Sequence, residues 1–392
     1  MIKHHKRHVF WYQLVRTTIA GPSLRKYKFK TEMVPEMNEP YVMLANHLTE
    51  ADMWMIMKAT KKHTYFVTGE HLLRTWFGPI LDWGIHPIPA PRGANHIKMV
   101  MDVMSRLREG YNVSFWPEGC RSFNGETLQV GLAIGKMIKA AKCALITYRT
   151  TGGYFVAPRW AYNFRKGQMY GEVRGVYSSE QLSKMTDQEV TDIINRDLYE
   201  NAQRHQEELR YKYRGKNLAE GLENYLIICP ECGSYDSMVS KGNHFECTCC
   251  HTDGIYDEYG QLIGDKLKFN NVYDWGEWQK KKFDEDLEDK GDDELLFKDT
   301  DLILYEVQQE THERHDLAKN QEMLIYKDRM EINGRIFRFS KIRFFSLLYF
   351  GKTVLFTTEE GYFGITGSHF HAWKIEKLYN RAVENSKKHI RG

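Results

Sequence analysis

The chain has 392 residues, enough for two or three domains that each bury a core, and it is too long to be a single module. A composition of 42% hydrophobic, 27% charged and 13% aromatic residues excludes a disordered protein. The net charge of +3 implies little by itself, but its distribution is uneven: residues 1–30 hold eight Lys or Arg and no acid.

No uncharged apolar run approaches the roughly 20 residues that span a bilayer, and no signal-peptide apolar region follows Met1, so no transmembrane span is expected. Within residues 1–20, Val9, Phe10, Trp11, Leu14, Val15 and Ile19 form an apolar stripe among basic residues and histidines. Such a helix either lies in a membrane interface or packs on the body of a domain, and Gly21-Pro22 should end it. From 41 to 213, short apolar runs alternate with helical stretches, as in an α/β domain. Strands are expected at 41–45, 64–67, 86–89, 112–116, 144–148 and 169–176. Helices are expected at 53–62, 95–108 and 132–142, and a longer one opens with the capping box Thr186 to Glu189 and runs to Leu209.

Asn46-His47-Leu48-Thr49-Glu50-Ala51-Asp52 follows the first of these strands. A neutral imidazole takes a proton from an alcohol when a carboxylate holds its other nitrogen, and His47 with Asp52 has the makings of that pair. Positions five apart lie about 140° round an ideal helix, so His47 must sit in the turn and Asp52 in the first helical turn. The same residues also read as a helix start, Thr49 capping and Asp52 at the third position. A second stretch, Trp116-Pro117-Glu118-Gly119-Cys120-Arg121-Ser122, follows a strand and so occupies the sheet edge that ligands favour. There Gly119 permits close backbone approach, Arg121 offers a fork for phosphate and Ser122 a hydroxyl. A third stretch, 84–92, carries three prolines that stiffen an extended segment ending on Arg92.

Taken in order, these pieces resemble the glycerophospholipid acyltransferase family typified by lysophosphatidic acid acyltransferases, over residues 40–160. The resemblance implies a glycerolphosphate acyltransferase-like α/β domain, with His47 as general base and Asp52 as its orienter. It implies that Asn46, Arg92, Glu118, Gly119, Arg121 and Ser122 line the acceptor site. The chain departs from the family at Trp116, where Phe is usual, and at Cys120, where Thr is usual. Its middle arginine stands farther from its glycine, and the late Val-Pro motif has no clean counterpart near 143–148. No cysteine is needed as a nucleophile, because an alcohol displaces a thiol directly.

Farther on, Cys229-Pro230-Glu231-Cys232 and Cys247-Thr248-Cys249-Cys250 are two knuckles of a four-sulfur site, and five of the seven cysteines fall here. The spacing resembles a zinc ribbon with Cys229, Cys232, Cys247 and Cys250 holding structural zinc, and Cys249 spare or the alternative to one of the second pair. The ribbon lacks the basic face that nucleic acid requires, so no nucleic-acid partner is expected. Tyr273, Trp275 and Trp278 precede a run at 284–294 with eight acids and one lysine, read as a solvated linker. Alternating runs at 302–307, 322–326, 329–332, 335–339, 343–348, 353–357 and 362–365, with turns at Asn333-Gly334 and Glu360-Gly361, then a helix over 368–388, resemble a pleckstrin-homology-like fold.

The expected organisation is a basic amphipathic segment (1–30), an acyltransferase domain (31–222), a zinc ribbon (223–265), an aromatic and acidic linker (266–298) and a β-rich domain ending in a helix (299–392). The expected activity is transfer of a fatty acyl group from acyl-CoA or acyl carrier protein to a hydroxyl of a lysophospholipid or glycerol-phosphate-like acceptor. It would take place at a membrane surface, the protein peripherally attached on the cytoplasmic side. The alternative is a non-catalytic adaptor that binds lipid or a partner around a structural zinc ribbon.

Overall fold

A computed structural model of the chain describes the backbone of residues 2–91, 96–308 and 313–391, and the side chains of all of these except 71, 74 and 387–391. The first sheet contains β1 (Lys30–Thr31), β2 (Tyr41–Ala45), β3 (Thr64–Gly69), β4 (Ile88–Ala90), β5 (Asn112–Phe115), β6 (Ala144–Thr151) and β7 (Tyr170–Tyr177). Their order is β1-β7-β6-β2-β5-β3-β4, parallel from β6 through β4, with β7 antiparallel to β6. Around it lie α1 (His5–Val15), α2 (Gly21–Arg25), α3 (Asp52–Ala59), α4 (Gly78–Ile85), α5 (Ile97–Arg108), α6 (Leu132–Ala141), α7 (Gly153–Val156), α8 (Ser179–Ser183), α9 (Asp187–Leu198) and α10 (Ala202–Leu209).

Strand β2 is buried along its whole length, as a parallel strand covered on both faces must be. Because side chains alternate along a strand, Val42 and Leu44 enter a core with α5, α6 and α9. Tyr41, Met43 and Ala45 enter another with α1 and α3.

Two expectations about helices are corrected. Gly21-Pro22 does not end the first helix: a π-helical turn at Arg16–Ala20 leads straight into α2, the backbone staying right-handed helical through Ala20 and Gly21, with Pro22 in the first turn of α2. The long helix expected to run to Leu209 breaks between α9 and α10. There Glu200 accepts from Thr127 N–H, Asn201 bridges Glu126, and Asn201 then caps α10 through the N–H of Arg204.

The remaining chain forms a small sheet, β8 (Met238–Lys241), β9 (His244–Cys247), β10 (Asp253–Tyr256) and β11 (Leu262–Ile263), then α11 (Val272–Glu288). A second seven-stranded sheet follows: β12 (Phe297–Val307), β13 (Arg314–Ile325), β14 (Arg329–Ile332), β15 (Arg335–Arg338), β16 (Phe344–Leu348), β17 (Thr353–Thr357) and β18 (Tyr362–Thr366), closed by α12 (Trp373–Arg391). Pairing is antiparallel throughout. The acidic segment is not simply a linker, because α11 continues through Glu288. Trp275, Gln279, Phe283 and Leu287 recur every four residues on one buried face, and the acids take the other. Strand β13 also begins well before residue 322, its outer half too polar to signal a strand. Small sheet, α11 and β domain share one apolar core that includes Cys229, Trp275, Phe283, Leu304 and Trp373. Among the described residues no helix is long and apolar enough to cross a membrane.

The first helix docks on β3 through groups that work only when neutral. Nδ1 of His5 and of His8 lie 2.9 and 3.2 Å from Tyr65 Oη, and the His63 ring packs on His5, Tyr12 and Tyr65. His86, at the end of α4, stacks on His8. Arg106 lies over the Tyr65 ring, and Arg7 lies over Trp83. Burial lowers His8 to about 4 and His63 to about 3, with the neighbouring imidazoles and guanidiniums pushing the same way. The acids nearest Arg106 are Asp82, Asp102 and Glu109. Because the folded pKa values lie below the ordinary 6.5, stability is full above pH 6.5 and is lost as the pH falls toward 4. Thermal melts followed by the fluorescence of the packed pair Trp11 and Trp83 should drop steadily over that window. His63→Leu should flatten the drop, and a wild-type melting temperature independent of pH from 6.5 to 4 would refute this account.

Candidate active site

Parallel pairing sets β2 between β5 and β6, so the turns after all three strands open at one edge of the sheet. Leaving β2, Asn46 is fully buried: its Nδ2 donates to Thr150 O at 2.9 Å, and its Oδ1 accepts from Thr150 N at 2.7 Å and Oγ1 at 3.1 Å. Asn46, expected among the acceptor-lining residues, thus stands between two strand ends. Its amide is consumed in fastening the end of β2 to the end of β6.

His47 follows in the turn. Its Nδ1 lies 2.8 Å from Asp52 Oδ2, and that carboxylate also accepts from Leu48 N at 2.8 Å and Thr49 N at 3.1 Å. Asp52 is the first residue of α3, behind the N-cap Ala51, and is buried. The geometry of both readings meets at this carboxylate. The carboxylate caps the turn and orients the imidazole together, at a helix end whose dipole favours an anion. Thr49 accepts from Ala51 N–H and does not cap α3. With Nδ1–H donating to a carboxylate, Nε2 carries the lone pair. Among the described residues Nε2 has no protein partner, and the side chain is 27% exposed.

Glu118, also expected among the acceptor-lining residues, lies in the loop after β5. Its Oε1 accepts the backbone N–H of His47 at 2.7 Å and its Oε2 that of Leu128 at 2.8 Å, so both oxygens are used inside the protein. Burial raises this carboxyl to about 8, the two amide donors pulling the other way. Glu118 thus joins the His47 turn to the loop after β5. Ser122 is also largely committed, being buried with its Oγ accepting from Gly125 N–H at 3.1 Å.

Gly119 remains exposed, with φ of +73° and open space where a side chain would stand. Arg121 makes only long contacts, 3.4 Å to Ala157 O and 3.5 Å to Glu50 Oε1, and Glu50 is itself solvent-facing. The guanidinium, 20% exposed, is thus a cation beside the His47 turn that makes no close ion pair among the described residues. Arg92 lies outside the described residues. Trp116 forms a wall of the site, its ring 5.4 Å from His47 and stacked on Phe66. Sequence reasoning noted it only as a departure from Phe. Thr150 was missed altogether, since its partner lies 104 positions away.

In the small sheet, Cys229 Sγ and Cys250 Sγ stand 3.6 Å apart and Cys232 Sγ and Cys247 Sγ 3.8 Å, all four within 4.8 Å of one another. Sulfurs bound tetrahedrally at about 2.3 Å would be separated by about 3.8 Å, so the group fits a zinc ion. The Ser237 hydroxyl lies 3.3 Å from Cys247 Sγ, where it can donate to a thiolate, and Thr252 Oγ1 accepts from Cys250 Sγ at 3.3 Å. Cys249 is exposed and outside the group.

Residues 26–151, about a third of the chain, match the family model described as Acyltransferase, which identifies this α/β region as an acyltransferase-type domain. A solved structure similar to the chain is the 1-acyl-sn-glycerophosphate (LPA) acyltransferase PlsC from Thermotoga maritima. It is 14% identical over 50% of this chain and 82% of that one, with a TM-score of 0.41. No curated protein matches the chain.

Two outcomes follow from this geometry. Glu118→Gln keeps one acceptor but turns an NH2 toward the other amide, so denaturant melts should register a loss of about 1–3 kcal/mol; unchanged stability would show that the two bonds carry no weight. Metal analysis should find one zinc per chain, and removing it with a chelator should lower the melting temperature of the whole carboxyl-terminal part, because Cys229 and Cys247 lie in its core. A chain that is metal-free as purified and melts identically with chelator would rule the site out.

Proposed function

We propose that this protein is an O-acyltransferase of the membrane surface. It moves a fatty acyl group from an acyl thioester, acyl-CoA or acyl carrier protein, to a hydroxyl of a lysophospholipid or related glycerol-phosphate-like acceptor. The observation that carries this reading is the 2.8 Å contact between His47 Nδ1 and a buried Asp52, with Nε2 left open at the sheet edge. In the reaction, Nε2 takes the proton of the acceptor hydroxyl as its oxygen attacks the thioester carbonyl carbon. The new C–O bond forms, the tetrahedral intermediate collapses, the C–S bond breaks, and the departing thiolate receives the proton from the imidazolium. Asp52 stabilises the imidazolium during its lifetime. A placed base contributes roughly 10² to 10⁴ in rate. Arg121, together with Arg92, holds the phosphate so that the hydroxyl faces Nε2, an orienting effect that can exceed the base itself.

Attachment to the lipid surface is supported by the basic first 30 residues and by the solvent-facing apolar side chains Phe10, Leu14, Trp76, Ile80 and Trp83. Each basic residue near an anionic surface adds about 1 kcal/mol. The protein then sits on the cytoplasmic leaflet without crossing it. Zinc in the four-cysteine group is structural, and the seven strands with a closing helix support a pleckstrin-homology-like architecture for the last domain.

One experiment tests both parts. On anionic vesicles bearing labelled acyl-CoA or acyl carrier protein and a panel of lysophospholipids, the wild type should float with the vesicles and acylate the acceptor. His47→Ala should float equally and lose at least about 10²-fold in transfer. Full activity in the variant would sink the base assignment, and failure of both proteins to float would sink the surface assignment.

A further inference from the structure

The loop after β5 is anchored at its start by Glu118 and at its end by the turn from Ser122 to Gly125. Between these anchors, Gly119 is exposed and open. The middle of the loop is held from outside, by Arg159. Its Nη1 donates to Arg121 O at 2.7 Å, and its Nη2 donates to Leu347 O at 2.9 Å, in β16 of the carboxyl-terminal domain. The guanidinium also lies 4.3 Å over the Phe123 ring, and Phe123 stacks on Tyr225. Among the described residues it makes no ion pair with a carboxylate, so its two arms are spent on main-chain oxygens of two different domains.

Other contacts reinforce this junction. Gly351, in the turn between β16 and β17, packs so closely that a side chain there would meet Asn224 O at 3.3 Å and the Phe123 ring at 3.5 Å. Its carbonyl accepts from Ala372 N–H, just before α12. Cys120 lies in the fields of both Arg159 and Glu376 of α12.

We propose that Arg159 is a positioning residue: by tying the backbone of Arg121 to β16, it lets the carboxyl-terminal β domain set the affinity of the site for its phosphate-bearing acceptor. This rests on the acyltransferase reading above. A planar fork reaches two carbonyl oxygens in fixed directions, which an ammonium or a thioether cannot do. A loop freed by a fraction of an ångström to an ångström still presents the Arg121 charge, but no longer at the phosphate.

The test uses the full-length protein with Arg159→Lys and Arg159→Met. Both variants should raise the KM for the lysophospholipid by about tenfold, leaving kcat and the KM for the acyl thioester within about twofold. In hydrogen exchange, peptides covering 118–123 should exchange faster in both, while those of β2 and β6 stay protected. Wild-type behaviour of Arg159→Lys would mean that charge alone is needed, and would overturn the tie. So would equal losses in every kinetic constant, or unchanged exchange in 118–123. If the wild type transfers no acyl group to any acceptor, the reading of the site fails separately and the proposal falls with it, even where the exchange arm still shows the contact with β16.

Discussion

Everything at this site depends on three parallel strands ending side by side. Because β2 pairs with β5 on one side and β6 on the other, in registers that set Leu44 against Phe115 and Ala45 against Tyr148, the chain leaves all three at the same edge. Backbone polar groups that can no longer join the ladder must find partners there. Two buried side chains supply them. Asn46 satisfies the amide of Thr150, and Glu118 satisfies those of His47 and Leu128. The turn that carries the imidazole is consequently held from both neighbouring strands.

That arrangement also sorts the polar residues by role. Asp52 is surrounded by donors, two backbone amides and the imidazole, and sits at a helix N-terminus. Glu118, Asn46 and Ser122 have little hydrogen-bonding capacity left for a ligand. Among the described residues at this edge, the His47 imidazole and the Arg121 guanidinium keep part of their surface in solvent, 27% and 20%.

The pieces of the carboxyl-terminal part are fixed to one another by buried polar contacts as well as by their shared core. Lys374, at 1% exposure, lies 2.7 Å from both Asp236 and Asp299, and His371 adds a contact to Asp236. Asp236 belongs to the segment after the first cysteine pair, Asp299 to β12, and both partners to α12 and the residue stretch before it. A buried cation between two carboxylates tolerates the loss of neither well. The four-cysteine group, the β domain and, through Arg159, the loop after β5 are therefore in mechanical contact.

The sequence by itself determined the alternation of buried strands with helices, the adjacency of imidazole and carboxylate in one turn, the two cysteine knuckles and the paired strands near the C-terminus. These are local patterns: apolar periodicity, a strand followed by a helix start, cysteines with two residues between them. Where local pattern and tertiary demand conflicted, the tertiary structure decided. Gly21-Pro22 continues a helix, the backbone staying right-handed helical through Ala20 and Gly21. Residues 199–201 break one because Thr127 offers them a ladder partner. The acids at 284–288 join a helix because Phe283 and Leu287 have a core to enter. Only the fold could tell that Asn46 and Glu118 are structural ties while Arg121 stays partly exposed, since that depends on Thr150, Leu128 and His47 amides brought from distant strands. It was likewise the fold that set Arg159 between Arg121 and Leu347, a contact between residues 188 positions apart that no spacing rule could anticipate.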